Sequence, residues 1–395
     1  MVPSYSRKAI SGQSNYLGTV TSHKMNESEM GNRGSKSDFL IESVKEQRVD
    51  GSWCIKPKLM HLRYTLMGFE RNYQIKIPSK QLNKHYYSTI NYSSTINPWF
   101  ITGLIDAEGS FTVIITRSKS HKSGWRIEPK FQMGLHKRDI NLLLQLQQFL
   151  GGVGSIYFHP NRNLVNYIIY TKKDLTNLIV HLEKYPLLTQ KAADFILLKK
   201  IVELIHKKAH LSIEGLNSIV NIKASMNLGL SDLLKYEFNN FSPVGRPIIN
   251  TENIPDTNWI SGFVTGEGNF DIKISEQSTN KIGFRVQLRF RISQHERDRK
   301  LLNCLIKYLG SGKLYKYSGE KSAVVYTIFR FSDIINIIIP FFEQNPLIGV
   351  KLLDFLDWCK AAKLVSDGSH LTLEGFSLIK EIKSKMNRGR YISNI

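Results

Sequence analysis

Residues 101–109 read ITGLIDAEG, and residues 260–268 read ISGFVTGEG. In each segment an apolar stretch carries small residues four positions apart and ends in a glutamate that is followed by glycine. Residues i and i+4 lie on one face of a helix, so each segment predicts a short helix whose small face allows close backbone contact. If the two helices pack together, Glu108 and Glu267 meet at their ends. Two carboxylates that close repel each other unless a cation neutralises them, and a divalent cation is the usual partner.

An ordinary helix–helix contact with solvated glutamates is the alternative interpretation of this pattern. The recurrence of the whole pattern argues against it, because each copy continues with a polar residue and a phenylalanine, Phe111 or Phe270.

The two segments resemble the LAGLIDADG motif of homing endonucleases and group I intron maturases. The resemblance makes the eighth motif position, Glu108 and Glu267 here, the metal-binding acid, with Ala107 and Gly266 beside it in the predicted metal site. It implies Mg²⁺, or another divalent cation such as Mn²⁺, as the cofactor. The second copy has Thr265 where the usual aspartate is expected, but that aspartate is regarded as structural in similar proteins, so activity is still expected.

The chain from residue 97 onward is an internal duplication. Equivalent positions lie 159 residues apart at Gly103 and Gly262, and 160 residues apart at Pro186 and Pro346. A unit this long is a domain rather than a solenoid repeat. The hydrophobic patterns predict an α+β fold with two αββαββα domains related by a pseudo-twofold axis, and the resemblance implies saddle-shaped antiparallel sheets.

These patterns divide the chain into four parts: an irregular N-terminal leader at 1–96, a first domain at 97–242, a linker at 243–256 and a second domain at 257–395. The leader is rich in Ser, Asn, Lys and Gly and has poor apolar periodicity, which is typical of irregular chain. Its basic, acid-free beginning is similar to a transit peptide. It equally resembles the in-frame leaders of fungal organellar intron reading frames, and the family resemblance implies a mitochondrial location.

A formal net charge of +21, with 42% hydrophobic residues, indicates a folded protein that binds a polyanion. Nucleic acid is the first expectation and an anionic membrane surface the second. No run of eighteen apolar residues occurs, so no membrane span is expected. The three cysteines are far apart without a CxxC pair, which argues against a zinc site or a disulfide framework.

The second strand of each copy alternates apolar and polar residues, which predicts a sheet with one buried face and one exposed face. In the second copy the exposed series is Arg–Gln–Arg–Arg without an acid, and these side chains can read guanine and adenine in the major groove. A solvated strand face is the alternative. The predicted DNA-binding residues are Arg117, Lys119, Arg126, Lys130, Lys273, Arg285, Gln287, Arg289, Arg291 and Lys313.

Three further catalytic residues follow from the resemblance. Lys191 and Lys351 occupy the place of lysines that approach the active centre in similar enzymes. Gln294 occupies the place of a glutamine that helps to orient water, whereas the first copy has Leu135 there. The two half-sites are therefore predicted to differ.

The resemblance implies a monomeric homing endonuclease that cuts double-stranded DNA at a long asymmetric site by metal-dependent phosphodiester hydrolysis. The alternative is a maturase that binds group I intron RNA, and one protein can do both. A third interpretation is a nucleic-acid-binding module descended from a nuclease. Retention of both glutamates, both lysines and Gln294 favours the endonuclease.

Overall fold

The computed structural model describes residues 75–77, 96–316 and 322–390. Residues 71–395 belong to one compact unit, which contains both copies of the repeat. The first repeat and the short strand before it contain β1 (Ile75–Ile77), α1 (Pro98–Glu108), β2 (Gly109–Arg117), β3 (Trp125–His136), α2 (Ile140–Phe149), β4 (Ser155–His159), β5 (Leu164–Ile169), α3 (Lys172–Lys184), α4 (Lys191–His206), α5 (Ile213–Ala224) and α6 (Asp232–Glu237).

The second repeat follows the same order of elements. It contains α7 (Thr257–Glu267), β6 (Gly268–Glu276), β7 (Phe284–His295), α8 (Arg299–Leu309), β8 (Lys313–Lys316), β9 (Ala323–Ile328), α9 (Phe331–Asp333, a π-helical turn Ile334–Ile338, and Ile339–Gln344), α10 (Val350–Ser366) and α11 (Leu373–Ser384). The predicted αββαββα order and the α+β fold class are confirmed, with extra helices after each core. Among the described residues, every helix is too short or too polar to cross a membrane.

Each repeat folds around one antiparallel sheet. The strand orders are β1-β4-β5-β3-β2 and β6-β7-β9-β8, so both sheets share the same four-stranded arrangement. The additional strand β1 pairs with β4 and places Ile75 opposite Phe158. It falls inside the range that was predicted to be irregular, so that prediction is wrong for residues 75–77. The remainder of residues 1–95, including the predicted transit-peptide-like beginning, lies outside the described residues.

The predicted alternation along β3 and β7 is what builds the two cores. Phe131 and Met133 of β3 are buried, as are Phe290 and Ile292 of β7, and their polar neighbours point away. Pro129 lies in β3 where that strand is paired with β2 alone, because the pairing with β5 begins at Phe131. A proline lacks an N–H, so a position with one neighbouring strand tolerates it.

One residue inserted in the second repeat explains the change in spacing between the copies. The strands β5 and β9 are still 159 residues apart, whereas the helices α4 and α10 that follow the intervening helix are offset by 160 at their lysines. Between them α9 contains the π-helical turn Ile334–Ile338. A π-turn accommodates one extra residue without ending a helix, so the insertion leaves the following helix in its equivalent place.

The connection between the repeats is irregular but fastened to the first one. Residues 241–256 contain neither helix nor strand, in agreement with the predicted linker. Arg246 from this segment donates from its two terminal nitrogens to Asp194 of α4, at 2.8 and 2.9 Å. In the second repeat the equivalent Asp354 accepts from Arg390, at 2.8 Å. Two unrelated segments thus neutralise equivalent buried carboxylates one turn beyond each predicted catalytic lysine.

Candidate active site at the junction of the two repeats

The helices α1 and α7 pack with their backbones in direct contact. A Cβ atom on Gly103 would lie 2.8 Å from the backbone nitrogen of Phe263, and one on Gly262 would lie 3.0 Å from that of Leu104, and each would overlap a carbonyl oxygen of the facing helix. The contacts are reciprocal, as the pseudo-twofold axis requires. The small face predicted from the sequence is therefore the face that joins the repeats.

This packing brings the two motif glutamates together. A Cβ atom on Gly266 would lie 3.2 Å from Oε1 of Glu108 and 2.5 Å from the Cβ of Ala107. Both carboxylates are half-buried. Burial raises the pKa of Glu108, although Lys191 and Lys351 counteract it. Burial raises the pKa of Glu267 as well, and the negative charge of Glu108 raises it further.

The two predicted lysines point into the same region. The ammonium group of Lys191 donates to the carbonyl oxygen of Ala107 at 2.5 Å, and that of Lys351 donates to the carbonyl oxygen of Gly268 at 2.5 Å. Burial lowers the pKa of both ammonium groups, while nearby carboxylates raise it. Ala107, predicted beside the metal, thus has its carbonyl oxygen occupied by a lysine, and the second lysine binds Gly268 rather than Gly266.

The half-sites combine residues of both repeats. A cavity of about 420 Å³ beside Glu108 is lined by Leu135 and Asp139 from the first repeat and by Lys351 and Arg388 from the second. We call Glu108, Leu135, Asp139 and Lys351 the first half-site. The second half-site consists of the equivalent Glu267, Gln294, Asp298 and Lys191.

Gln294 distinguishes the two half-sites, as predicted. Its side chain forms a hydrogen bond that lowers the pKa of Glu267 and so partly opposes the effect of burial. Leu135 carries no group that could do this for Glu108. The neighbouring histidines His136 and His295 have a local role, because Nδ1 of each accepts from the backbone two residues ahead, at 3.3 and 3.1 Å.

Asp106 is a buried structural residue. Its carboxylate accepts from the backbone nitrogens of Leu188 and Thr189, from the Thr189 hydroxyl at 2.6 Å and from the Trp259 indole at 2.9 Å. The second repeat replaces both members of the Asp106–Thr189 pair, with Thr265 and Gly349. The departure from the motif at Thr265 is therefore matched by a second change where its partner would lie.

The oxygen atoms at the junction fit a hard divalent cation. Mg²⁺ is usually held by one or two carboxylates together with waters and substrate phosphates. Glu108 and Glu267 supply two carboxylates whose raised pKa reflects a need for neutralisation. Within the described residues no group of three or more His, Cys, Asp or Glu side chains is arranged around one metal position. Any ion here would thus depend on oxygens from the substrate.

The exposed face of the second sheet contains an acid that the sequence pattern did not reveal. Asp271 of β6 lies opposite Arg289 of β7 in the strand register. Its Oδ2 atom accepts from Nε of Arg289 at 2.8 Å and from Arg291 at 3.3 Å. Arg285, in contrast, is exposed and lies opposite Ser275. The alternation within β7 shows no acid because the acid lies on the neighbouring strand.

The remaining predicted DNA-binding residues also differ in their contacts. Arg117 is paired with Glu237 and lies over the Trp125 ring, and Arg126 donates to Glu128 at 2.6 Å. The exposed lysines are Lys119, Lys273 and Lys313. Lys130 is half-buried, and burial lowers the pKa of its ammonium group.

Comparison with known proteins is consistent with this geometry. The sequence profile described as LAGLIDADG endonuclease matches residues 101–202 and 260–362, one match for each repeat. The chain belongs to the LAGLIDADG endonuclease family. It is 58% identical to the probable intron-encoded endonuclease 3 of Neurospora crassa, over 96% of this chain and 74% of that protein.

Two solved LAGLIDADG homing endonucleases share the fold. I-SmaMI bound to cleaved DNA has a TM-score of 0.73 and 42% identity over 75% of this chain and 98% of its own. I-SmaMI has also been solved on its uncleaved target in the presence of calcium ions. I-LtrWI bound to target DNA has a TM-score of 0.72 and 38% identity over 74% of this chain and 98% of its own.

Proposed function

We propose that this LAGLIDADG protein is a homing endonuclease that hydrolyses one phosphodiester bond on each strand of a long asymmetric DNA site. The observation that carries the proposal is the meeting of Glu108 and Glu267 at the contact of α1 with α7, with Lys191 and Lys351 beside them. Both half-sites lie in one chain, which supports action as a monomer. The intron-encoded Neurospora relative supports a mitochondrial setting. The domain limits 97–242 and 257–395 are part of the same proposal.

Glu108 and Glu267 would hold Mg²⁺ or Mn²⁺ between them. A divalent cation bound there supplies charge stabilisation and an activated water. The carboxylates need a cation because burial and their mutual repulsion disfavour two bare negative charges. Their half-buried setting also strengthens every electrostatic interaction with the scissile phosphates, since the local dielectric is lower than that of water.

The lysines would stabilise negative charge that develops on each phosphate. Each ammonium group is held by a backbone carbonyl and surrounded by carboxylates, which favour its charged form against the effect of burial. Gln294 would orient water at the second half-site, where it already contacts Glu267. The first half-site has Leu135, so we expect the two strands to be cut at different rates.

Replacing the lysines tests the proposal. On a duplex that joins the two exons flanking the intron that encodes this chain, Lys191→Met and Lys351→Met should each slow cleavage of one strand on the order of 10²-fold, because a fixed charge stabiliser is lost. Cleavage should also require Mg²⁺ or Mn²⁺ and stop in EDTA. Differently labelled ends allow the strands to be followed separately. Binding without any cleavage, together with stimulated splicing of intron RNA, would instead establish the maturase.

The contacts of Asp271 predict different behaviour for two arginines of one strand. Arg285→Ala should relax specificity at one base pair and cost about 1–3 kcal/mol of binding, as expected for base readout. Arg289→Ala leaves Asp271 with only the longer contact to Arg291, so we expect weaker binding of all target variants. The double variant Arg289→Ala/Asp271→Ala should recover part of that loss. Binding titrations over single-base target variants measure both effects, and single-base relaxation by Arg289→Ala would contradict this assignment.

A further inference from the structure

Two aspartates that have no assigned role link the repeats in a reciprocal way. Asp298, which follows β7, accepts a hydrogen bond from the backbone nitrogen of Gln190 at 2.7 Å. Asp139, which follows β3, accepts from the backbone nitrogen of Val350 at 2.9 Å. Gln190 and Val350 each directly precede a predicted catalytic lysine. Each aspartate therefore holds the beginning of the lysine-bearing helix of the opposite repeat.

These contacts satisfy groups that a helix leaves without partners. The first N–H groups of a helix have no acceptor within it, and the partial positive charge at that end favours a carboxylate. The Asp298 side chain is 4% exposed and the Asp139 side chain 20% exposed, so water competes little with either contact.

The backbone beside Asp139 is shaped for this approach. Gly349 adopts a φ of +73°, which side chains rarely allow, and a Cβ atom there would lie 2.7 Å from Oδ1 of Asp139. The equivalent residue of the first repeat, Thr189, is used differently, because its hydroxyl binds Asp106. The two repeats thus reach the same cross-repeat contact with different local residues.

The aspartates also belong to the half-sites themselves. Asp298 lies one short turn beyond Gln294, which contacts Glu267, and Asp139 lines the cavity beside Glu108. One rigid turn therefore connects the glutamine and glutamate of one repeat with the lysine of the other.

We propose that Asp298 and Asp139 are positioning residues that orient Lys191 and Lys351, respectively, so that each half-site works only when both repeats are docked. The inference rests on the proposed catalytic role of the lysines. A purely structural link between the repeats would weaken both half-sites together, whereas positioning acts on one lysine and on one strand.

The test is strand-resolved cleavage at saturating protein, with the joined-exon duplex and full-length protein. Asp298→Ala should slow the strand that Lys191→Met slows, on the order of 10- to 100-fold, because small misplacements of a catalytic group have effects of this size. Binding should be unchanged. The loss should disappear in a Lys191→Met background and persist fully in a Lys351→Met background. Asp139→Ala is the matched control and should show the opposite pattern.

Two conservative variants separate position from charge. Asp298→Asn keeps a short acceptor and should restore cleavage to within a few-fold of wild type (about 3-fold), whereas Asp298→Glu keeps the charge but displaces it and should stay slow. Hydrogen exchange gives a readout without cleavage, because Asp298→Ala should speed exchange of the Gln190 amide and leave that of Val350 unchanged.

Equal slowing of both strands, coupling to the lysine of the same repeat, or loss of binding alone would overturn the inference. If Asp298→Ala does not fold, Asp298→Glu and Asp298→Asn decide it alone, and equal rates for the two would also overturn it. Wild-type cleavage by Lys191→Met would instead refute the proposed function, which is a different result from a normal Asp298→Ala.

Discussion

Glu108→Gln should leave DNA binding intact while cleavage of at least one strand falls by about 10³-fold or more. Glutamine keeps the size of glutamate, but a neutral amide is a poor ligand for a hard cation. The change also removes a negative charge that faces both Glu267 and the incoming phosphates, so binding should survive or tighten slightly. Glu267→Gln should behave in the same way, and the strand that is spared should differ, because only the second half-site has Gln294.

The folded protein without metal should not lose stability in these variants. Burial raises the pKa of both carboxyl groups, so the folded state holds protons more tightly than the unfolded state does. Their ionised forms therefore oppose folding, and the wild type should gain stability relative to either glutamine variant as the pH falls toward the ordinary glutamate pKa. Thermal unfolding in EDTA at several pH values measures this.

Glu343→Gln is the matched control for the glutamine variants. Glu343 is exposed on α9, so its replacement should change neither cleavage nor the pH dependence of stability. Cleavage at the wild-type rate by both Glu108→Gln and Glu267→Gln would contradict the catalytic assignment and favour a binding or maturase function.

Gly262→Ala should destabilise the protein by about 1–3 kcal/mol or more, as overpacking of a close contact does. In an isolated helix the same change would stabilise by about 1 kcal/mol, because glycine is a poor helix former. Here the added methyl group would overlap the carbonyl oxygen of Phe100 and lie 3.0 Å from the nitrogen of Leu104. These are backbone atoms, so no rotamer change relieves the overlap and the helices must separate.

Urea unfolding measures this effect, with Gly245→Ala as the control. Gly245 lies in the linker, and a Cβ atom there would meet nothing within 4 Å. A surface change of this kind should stay within about 0.5 kcal/mol. Gly103→Ala should resemble Gly262→Ala, and in both the separation of Glu108 from Glu267 should also slow cleavage. Unchanged stability of both helix variants would show that the packing of α1 on α7 is looser than described.

The repeated segments were sufficient to predict most of the fold. A duplicated helical pattern with glycines on one face, followed by strands of period two, leaves few ways to bury the apolar residues. The sheet faces, the packing of α1 on α7 and the approach of Glu108 to Glu267 all follow from such local periodicity. Gln294 and the two lysines could be placed because a resemblance supplied positions that periodicity alone does not mark.

The contacts between elements were decided only by the tertiary structure. Asp271 neutralises Arg289 because two strands pair in one register, and no pattern along β7 contains that register. Asp139 and Asp298 occur at equivalent positions in the sequence, but which lysine each one serves depends on how the repeats dock. Periodicity along a chain records which face of an element is buried. It does not record which distant element covers that face, because that choice depends on packing summed over the whole junction.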